Sequence, residues 1–202
     1  MLVQLPVQRE EAEGMKRFTA HITHTYDTIL RMCRALDDTF FFRRKISMVI
    51  IGVMLTVFGV WNLDNAVGIL FLMIGCWMLA SLNLPAKNQA DNVRKALGGK
   101  YPSNKYEFFD KHFVLYAQNQ DIVNYSNLIR LVEDEGYCYL CLTVQAGYML
   151  EKASLGTDLE KFKAFMEKAT GLKWTKPYRL STFNIVHMFE LICGPWKAKK
   201  KK

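Results

Sequence analysis

The 202-residue chain carries 27 Lys or Arg against 19 Asp or Glu, a net charge of +8, and half of its residues are hydrophobic. So basic a chain could suit nucleic acid, yet its basic residues gather beside two apolar runs and in the terminal tail, where anionic lipid is the simpler partner. Five cysteines (Cys33, Cys76, Cys138, Cys141, Cys193) are an odd number without disulfide-like spacing, so reduced thiols are expected.

Residues 1–15 contain Arg9, Glu10, Glu11 and Glu13 and no apolar periodicity, and read as a disordered leader, with Met15 an alternative start of translation. Residues 16–45 hold two elements. In residues 18–23 Phe18, Ala20 and Ile22 alternate with Thr19, His21 and Thr23, the period of a half-buried strand, which is expected to dock on an edge of a C-terminal sheet. From Tyr26 the apolar spacing becomes Ile29, Cys33, Leu36, Phe40, with Arg31, Arg34, Asp37 and Asp38 elsewhere, which predicts a juxtamembrane amphipathic helix.

Residues 46–84 organise the chain. Between Lys45 and Lys87 the one charged residue is Asp64, so uncharged runs of 18 residues (46–63) and 22 residues (65–86) lie back to back. At the helical rise these measure about 27 and 33 Å, against a hydrocarbon core of about 30 Å. We therefore expect a two-helix transmembrane hairpin that turns at Asn62-Leu63-Asp64-Asn65. Gly52 and Gly59, like Gly68 and Gly75, lie seven apart and place two small residues on one face of each helix. Close backbone packing is one reading of them, and the general frequency of glycine in membrane helices is the other. Arg43, Arg44 and Lys45 before the first span, and Lys87, Arg94 and Lys95 after the second, place both termini on the cytoplasmic side of a cell membrane. The first three are expected at the lipid headgroups.

Residues 85–104 read as a linker or helical extension stopped by Gly98, Gly99 and Pro102. A small domain over 105–172 follows, with strands expected at 106–109, 112–116, 122–133, 137–142 and 147–152. Gly156, Thr157 and Asp158 are expected to cap a helix over 159–169, with Leu159, Phe162, Phe165 and Met166 inward and Gly171 ending it. Residues 173–202 predict a last amphipathic helix, capped by Ser181, and a polybasic tail. In that tail Trp196, Lys197, Lys199, Lys200, Lys201 and Lys202 are assigned to the membrane surface.

This order resembles the YcxB-like family of bacterial membrane proteins over residues 16–170. The resemblance is carried by Tyr125-Ser126-Asn127-Leu128 through Val132-Glu133, similar to that family's aromatic-Ser-x-aliphatic strand ending in Val-Glu. A second element is Met149-Leu150-Glu151-Lys152, at the place of an Ile-Pro-Lys-like strand, although position 151 is Glu and not Pro. The resemblance implies a membrane α+β protein: a transmembrane hairpin with a cytoplasmic pleckstrin-homology-like (PH-like) β-barrel or meander, capped by a C-terminal helix. It implies no catalytic residues.

The residues themselves point the same way on chemistry. Cys138 and Cys141 have the three-residue spacing of a metal or redox pair, but zinc needs four ligands and redox pairs sit at helix starts, whereas residues three apart in a strand face opposite sides. His21 and His24 share that spacing with no carboxylate pattern beside them, and Glu133, Asp134 and Glu135 read as a solvated hairpin tip. No phosphate loop, Ser/His/Asp arrangement or HExxH is present, so no catalytic, cofactor or metal site is expected, and no enzyme. With Asp64 alone charged, the spans offer ions no pathway. A headgroup site would want several basic residues at the first hairpin turn, where Lys111 and His112 stand alone, so a protein partner is the expectation and a homo-oligomer is compatible with it. The alternative is a small immunity or resistance protein that neutralises a membrane-active toxin.

Overall fold

The computed structural model describes residues 15–117 and 120–178. The leader expected over 1–14, the helix expected after Ser181, Cys193 and the whole group from Trp196 to Lys202 lie outside the described residues.

The architecture is mixed helix and sheet, α+β. In chain order come β1 (Phe18–Thr23), α1 (Tyr26–Phe40), α2 (Phe42–Trp61), α3 (Ala66–Ala80), α4 (Leu84–Ala96), β2 (Ser103–Phe108), β3 (His112–Tyr116) and β4 (Gln120–Asn124). Then follow β5 (Arg130–Glu133), β6 (Tyr137–Cys141), β7 (Gly147–Glu151), α5 (Leu159–Thr170) and β8 (Trp174–Thr175). One sheet has the order β1-β2-β3-β4, the other β7-β6-β5-β8, and only β8 pairs in parallel.

β1 pairs antiparallel with β2 along its whole length, from Phe18 opposite Phe108 to Thr23 opposite Ser103. Alternation explains why it docks: Ala20 and Ile22 are buried while Thr19, His21 and Thr23 face outward, so the strand covers the core with one side only. All four helices from α1 to α4 are thus an insertion between two neighbouring strands. At the other sheet, the His21 N–H donates to Ser154 Oγ (3.2 Å), which brings β1 against the end of β7.

Three boundaries differ from expectation. Residues 122–133 are not one strand: β4 stops at Asn124, a 3₁₀ turn occupies Tyr125–Asn127, and β5 begins in the other sheet. The tyrosine forces the break, because its ring is buried against Phe113 and Phe165 and its hydroxyl donates to the Phe109 carbonyl (2.7 Å), a position no strand continuation could reach. The second apolar run is also interrupted. α3 ends at Ala80, and α4 departs at 51° after a break over residues 81–83, with Pro85 in its first turn. Proline has no N–H to continue the preceding helix but fits the start of a new one. Of the two readings of residues 85–104, linker or helical extension, the second describes residues up to Ala96, and Ala86 and Ala90 of α4 pack on Ile29 and Cys33 of α1. Finally, the sheet domain continues past residue 172: β8 pairs on β5, the Trp174 ring packs near Phe162, and its Nε1–H donates to the Lys163 carbonyl (3.1 Å).

At the helix α5, Gly171 takes a left-handed C-terminal conformation (φ 70°), while the expected side-chain cap is absent: a 3₁₀ turn at Gly156–Asp158 leads in, and Asp158 instead pairs with Lys161 (2.9 Å). The face of α5 carrying Phe162 and Met166 closes the core over Phe18, Phe108 and Tyr125.

Candidate functional site

The candidate site is the apolar hairpin and the place where its two helices meet the sheet domain. Past Ile46, the buried residues of α2 are Gly52 and Gly59, and those of α3 are Gly68 and Gly75. A Cβ on Gly59 would stand 2.5 Å from the Leu72 backbone nitrogen, and one on Gly75 2.7 Å from that of Thr56. On Gly68 it would run into the Asn62 carbonyl. Gly52 is less tight, with the flexible tip of Leu79 nearest at 3.0 Å. The two backbones therefore touch at these glycines, and the large side chains point away: Trp61 is 81% exposed, Trp77 69%, Met54 66% and Met73 65%. α2 is long and apolar enough to cross a membrane, and so is the bent pair α3 and α4 when taken as one span.

At the root of α2 the basic triplet divides. Lys45, expected at the headgroups, is 3% exposed and turned against the end of α1. Its ammonium lies 2.9 Å from Asp37 and in hydrogen-bond contact with Asp38. The Asp37 oxygen facing Lys45 has no directed hydrogen bond, so this contact is ionic. Arg44 reaches the other Asp37 oxygen (3.1 Å) and lies over the Phe41 ring at 5.0 Å. Arg43 remains on the exposed side. Lys45 and Asp37 are the buried members, and removing Lys45 would leave the buried Asp37 carboxylate facing only the half-exposed Arg44, so this pair helps hold the start of α2 against the end of α1. The acidic pair Asp37 and Asp38 and the basic pair Arg44 and Lys45 stand seven residues apart in the sequence, but it is the break between α1 and α2 at Phe41 that brings them together.

Both helical roots are tied to the second sheet. Arg130 of β5 lies over the Phe40 ring at 5.6 Å and donates from Nη1 to the Thr39 carbonyl (3.4 Å). From α4, Gln89 Nε2 donates to the Gln145 carbonyl (2.9 Å), in the turn between β6 and β7. Neither Arg130 nor Gln89 stood out in the sequence, because a lone polar residue in a strand or helix carries no local sign of a distant partner.

Between α1 and the β5–β6 turn lies a cleft of about 330 Å³ lined mainly by Asp27, Arg31, Arg34, Asp38, Asp134 and Glu135. Its charges are largely engaged: Arg31 pairs with Asp27 (3.3 Å), and Asp134 accepts from the Gly136 and Tyr137 N–H groups and from the Tyr139 hydroxyl. Glu133, read as part of a solvated tip, is instead bonded to Lys152 (2.6 Å) and Lys163 (3.0 Å). Burial raises its carboxyl, but the two lysines outweigh burial and hold it below the ordinary carboxylate value. Only Glu135 of that trio is exposed.

Cys138 and Cys141 both lie buried in β6, and burial pushes both thiols up to about 12; Cys33 is pushed up to about 11. None of the three is a thiolate near neutral pH. His21 is exposed, whereas half-buried His24 faces Asn104 (3.2 Å), and burial lowers its pKa. His112 stacks on Phe109 at 5.1 Å. Among the described residues, no group of three or more His, Cys, Asp or Glu side chains is placed to hold a metal ion. No protein-family model, curated protein or solved structure matches the chain.

Proposed function

We propose that the chain is an integral membrane protein of YcxB-like layout, whose hairpin spans the bilayer and whose sheet domain serves at the cytoplasmic face as a non-catalytic, PH-like module for a protein partner. The observation that carries this reading is the inversion of the hairpin, with glycines inside and Met54, Trp61, Met73 and Trp77 outside. In water so much exposed apolar surface would drive association, whereas in lipid it is the ordinary arrangement. Arg43, Lys87, Arg94 and Lys95 at one end, against Asp64 at the other, support the orientation.

Support for a PH-like module is the layout of a four-stranded and a mainly antiparallel second sheet, closed by one helix across their shared aromatic core. Recognition is favoured over catalysis by the fate of the reactive groups. The thiols of Cys138 and Cys141 are sealed in the core, and Glu133 is committed to two lysines. The test is topological. With Cys76 and Cys193 replaced by Ser, a cysteine at Asn65 is labelled by an impermeant maleimide added outside intact cells, and one at Lys105 is labelled only after permeabilisation. Labelling of both from outside, or of neither, overturns the reading.

A further inference from the structure

Within the sheet domain, the large hydrophobic side chains exposed among the described residues are Tyr116, Ile129 and Val144. Two of these, Ile129 (46%) and Val144 (44%), sit at the same end of the second sheet. The Ile129 N–H donates to the carbonyl of Cys141 (2.8 Å), the last residue of β6, and Val144 is at the tip of the turn that follows. That turn is held firmly. Leu142 and Thr143 both donate to the Ala146 carbonyl, and the Thr143 hydroxyl accepts from the Gln145 and Ala146 N–H groups. Val144 is thus presented outward by a closed turn.

Single exposed aliphatic residues are common on soluble surfaces and need no explanation. Here, however, the same end of the sheet is tied to both roots of the hairpin. Arg130, next to Ile129, holds Thr39 and Phe40 at the end of α1; Gln145, next to Val144, accepts from Gln89 of α4. Gln89 is five residues past Leu84, where the apolar run ends and which is itself exposed. That is about 8 Å along the helix. Because α4 leaves α3 at 51°, this path descends only about 5 Å when α3 stands along the bilayer normal. The headgroup layer is about 5–8 Å deep on each side.

We infer that the sheet domain makes its own contact with the bilayer, with Val144 and Ile129 seated in the interfacial layer beside the hairpin root. The inference rests on the membrane reading above. The fitting partner is a lipid surface irrespective of headgroup charge, because the tip is aliphatic, its neighbours Thr143, Gln145 and Ala146 carry no charge, and Arg130 beside Ile129 is turned onto Thr39 and Phe40. Such a contact would fix the domain's tilt over the membrane.

The experiment uses the full chain, with Cys76 and Cys193 replaced by Ser, reconstituted in phosphatidylcholine vesicles with and without phosphatidylglycerol. Single nitroxide labels are placed at Val53 in the hairpin, Val144 at the tip and Lys100 beyond the far end of α4. Collision with dissolved oxygen is compared with collision with a water-soluble nickel complex. Val53 should read as deep, Lys100 as aqueous and Val144 as intermediate, unchanged by salt or by the anionic lipid. A Val144 label as aqueous as Lys100 beside a deep Val53 overturns this contact and leaves the membrane reading intact. An aqueous Val53 overturns both. A Val144 contact that appears only with anionic lipid at low salt also overturns the inference, since charge and not the aliphatic tip would then be the cause. Val144→Asp should abolish protection at a neighbouring Ile129 label while Val53 stays deep, and retained protection there counts against the proposal.

Discussion

Inside the sheet domain the space between layers is filled by Tyr106, Phe108, Phe113 and Phe162, each 1% exposed or less, whereas past Ile46 the buried positions of α2 and α3 are Gly52, Gly59, Gly68 and Gly75, with larger side chains such as Phe58, Phe71 and Leu79 only partly covered beside them. The two regions share a chain of ordinary apolar content and use it in opposite ways. Where water is the surroundings, burying large rings is the main favourable term, and edge-to-face pairs such as Phe108–Phe162 (4.8 Å) and Phe18–Phe162 (5.6 Å) add to it. Where lipid is the surroundings, a large side chain gains little by turning inward, and close approach of two backbones is what holds helices together. On the membrane reading proposed above, one polypeptide records two solvents, and the group of Asp37, Asp38, Arg44 and Lys45 lies where they meet.

The largest test of that contrast is Phe162→Ala. It removes the ring that joins β1, β2 and α5, and should destabilise the sheet domain by about 3–5 kcal/mol. Thermal unfolding followed by aromatic circular dichroism should shift down, while cross-linking between cysteines at Phe58 and Phe71, which meet edge-on at 5.3 Å, should not change. Joint loss of both signals would mean the regions are one cooperative unit. A smaller effect is expected from the opposite rule. In Gly59→Val the new side chain meets the Leu72 backbone, so the same cross-link should weaken, at about 1–3 kcal/mol, with the sheet domain unmoved. Gly136→Ala, with nothing within 4 Å of the added carbon, should be within about 0.5 kcal/mol of the parent.

The smallest effect is one of pH. Burial lowers the pKa of His24 from its usual 6.5, and its Nδ1 is buried without a hydrogen-bond partner. Between the lowered value and 6.5 the unfolded chain binds the extra proton and the folded chain does not, so stability falls as pH drops below about 6.5 and levels off below the folded pKa. His24→Gln should flatten that part of the stability profile of the sheet domain. An unchanged slope would exclude His24 as the sensor.

What could be read in advance follows from how local each signal is. The alternation of Phe18, Ala20 and Ile22 states a strand outright, and its need for an edge implied a sheet partner, although β2 lies some eighty residues further on. Leu159, Phe162 and Met166 likewise state the inward face of α5, with Gly171 as its stop. The long strand expected over 122–133 failed because hydropathy continues through Tyr125 while the backbone does not: the ring's place in the core is a tertiary demand. Lys45 misled for a related reason. A basic residue beside an apolar run resembles a headgroup contact until the aspartates at the end of the preceding helix are seen to claim it. The contacts of Arg130 and Gln89 had no local signal at all.

The early end of α3 carries a further consequence. Its fifteen residues measure about 22 Å, short of a hydrocarbon thickness near 30 Å, whereas the twenty residues of α2 measure about 30 Å. In the proposed setting this is a hydrophobic mismatch, met by compressing the lipid around the hairpin or by settling in a thin membrane. Acyl-chain length then becomes an input to the protein. On that reading short-chain bilayers would accommodate the hairpin with least deformation.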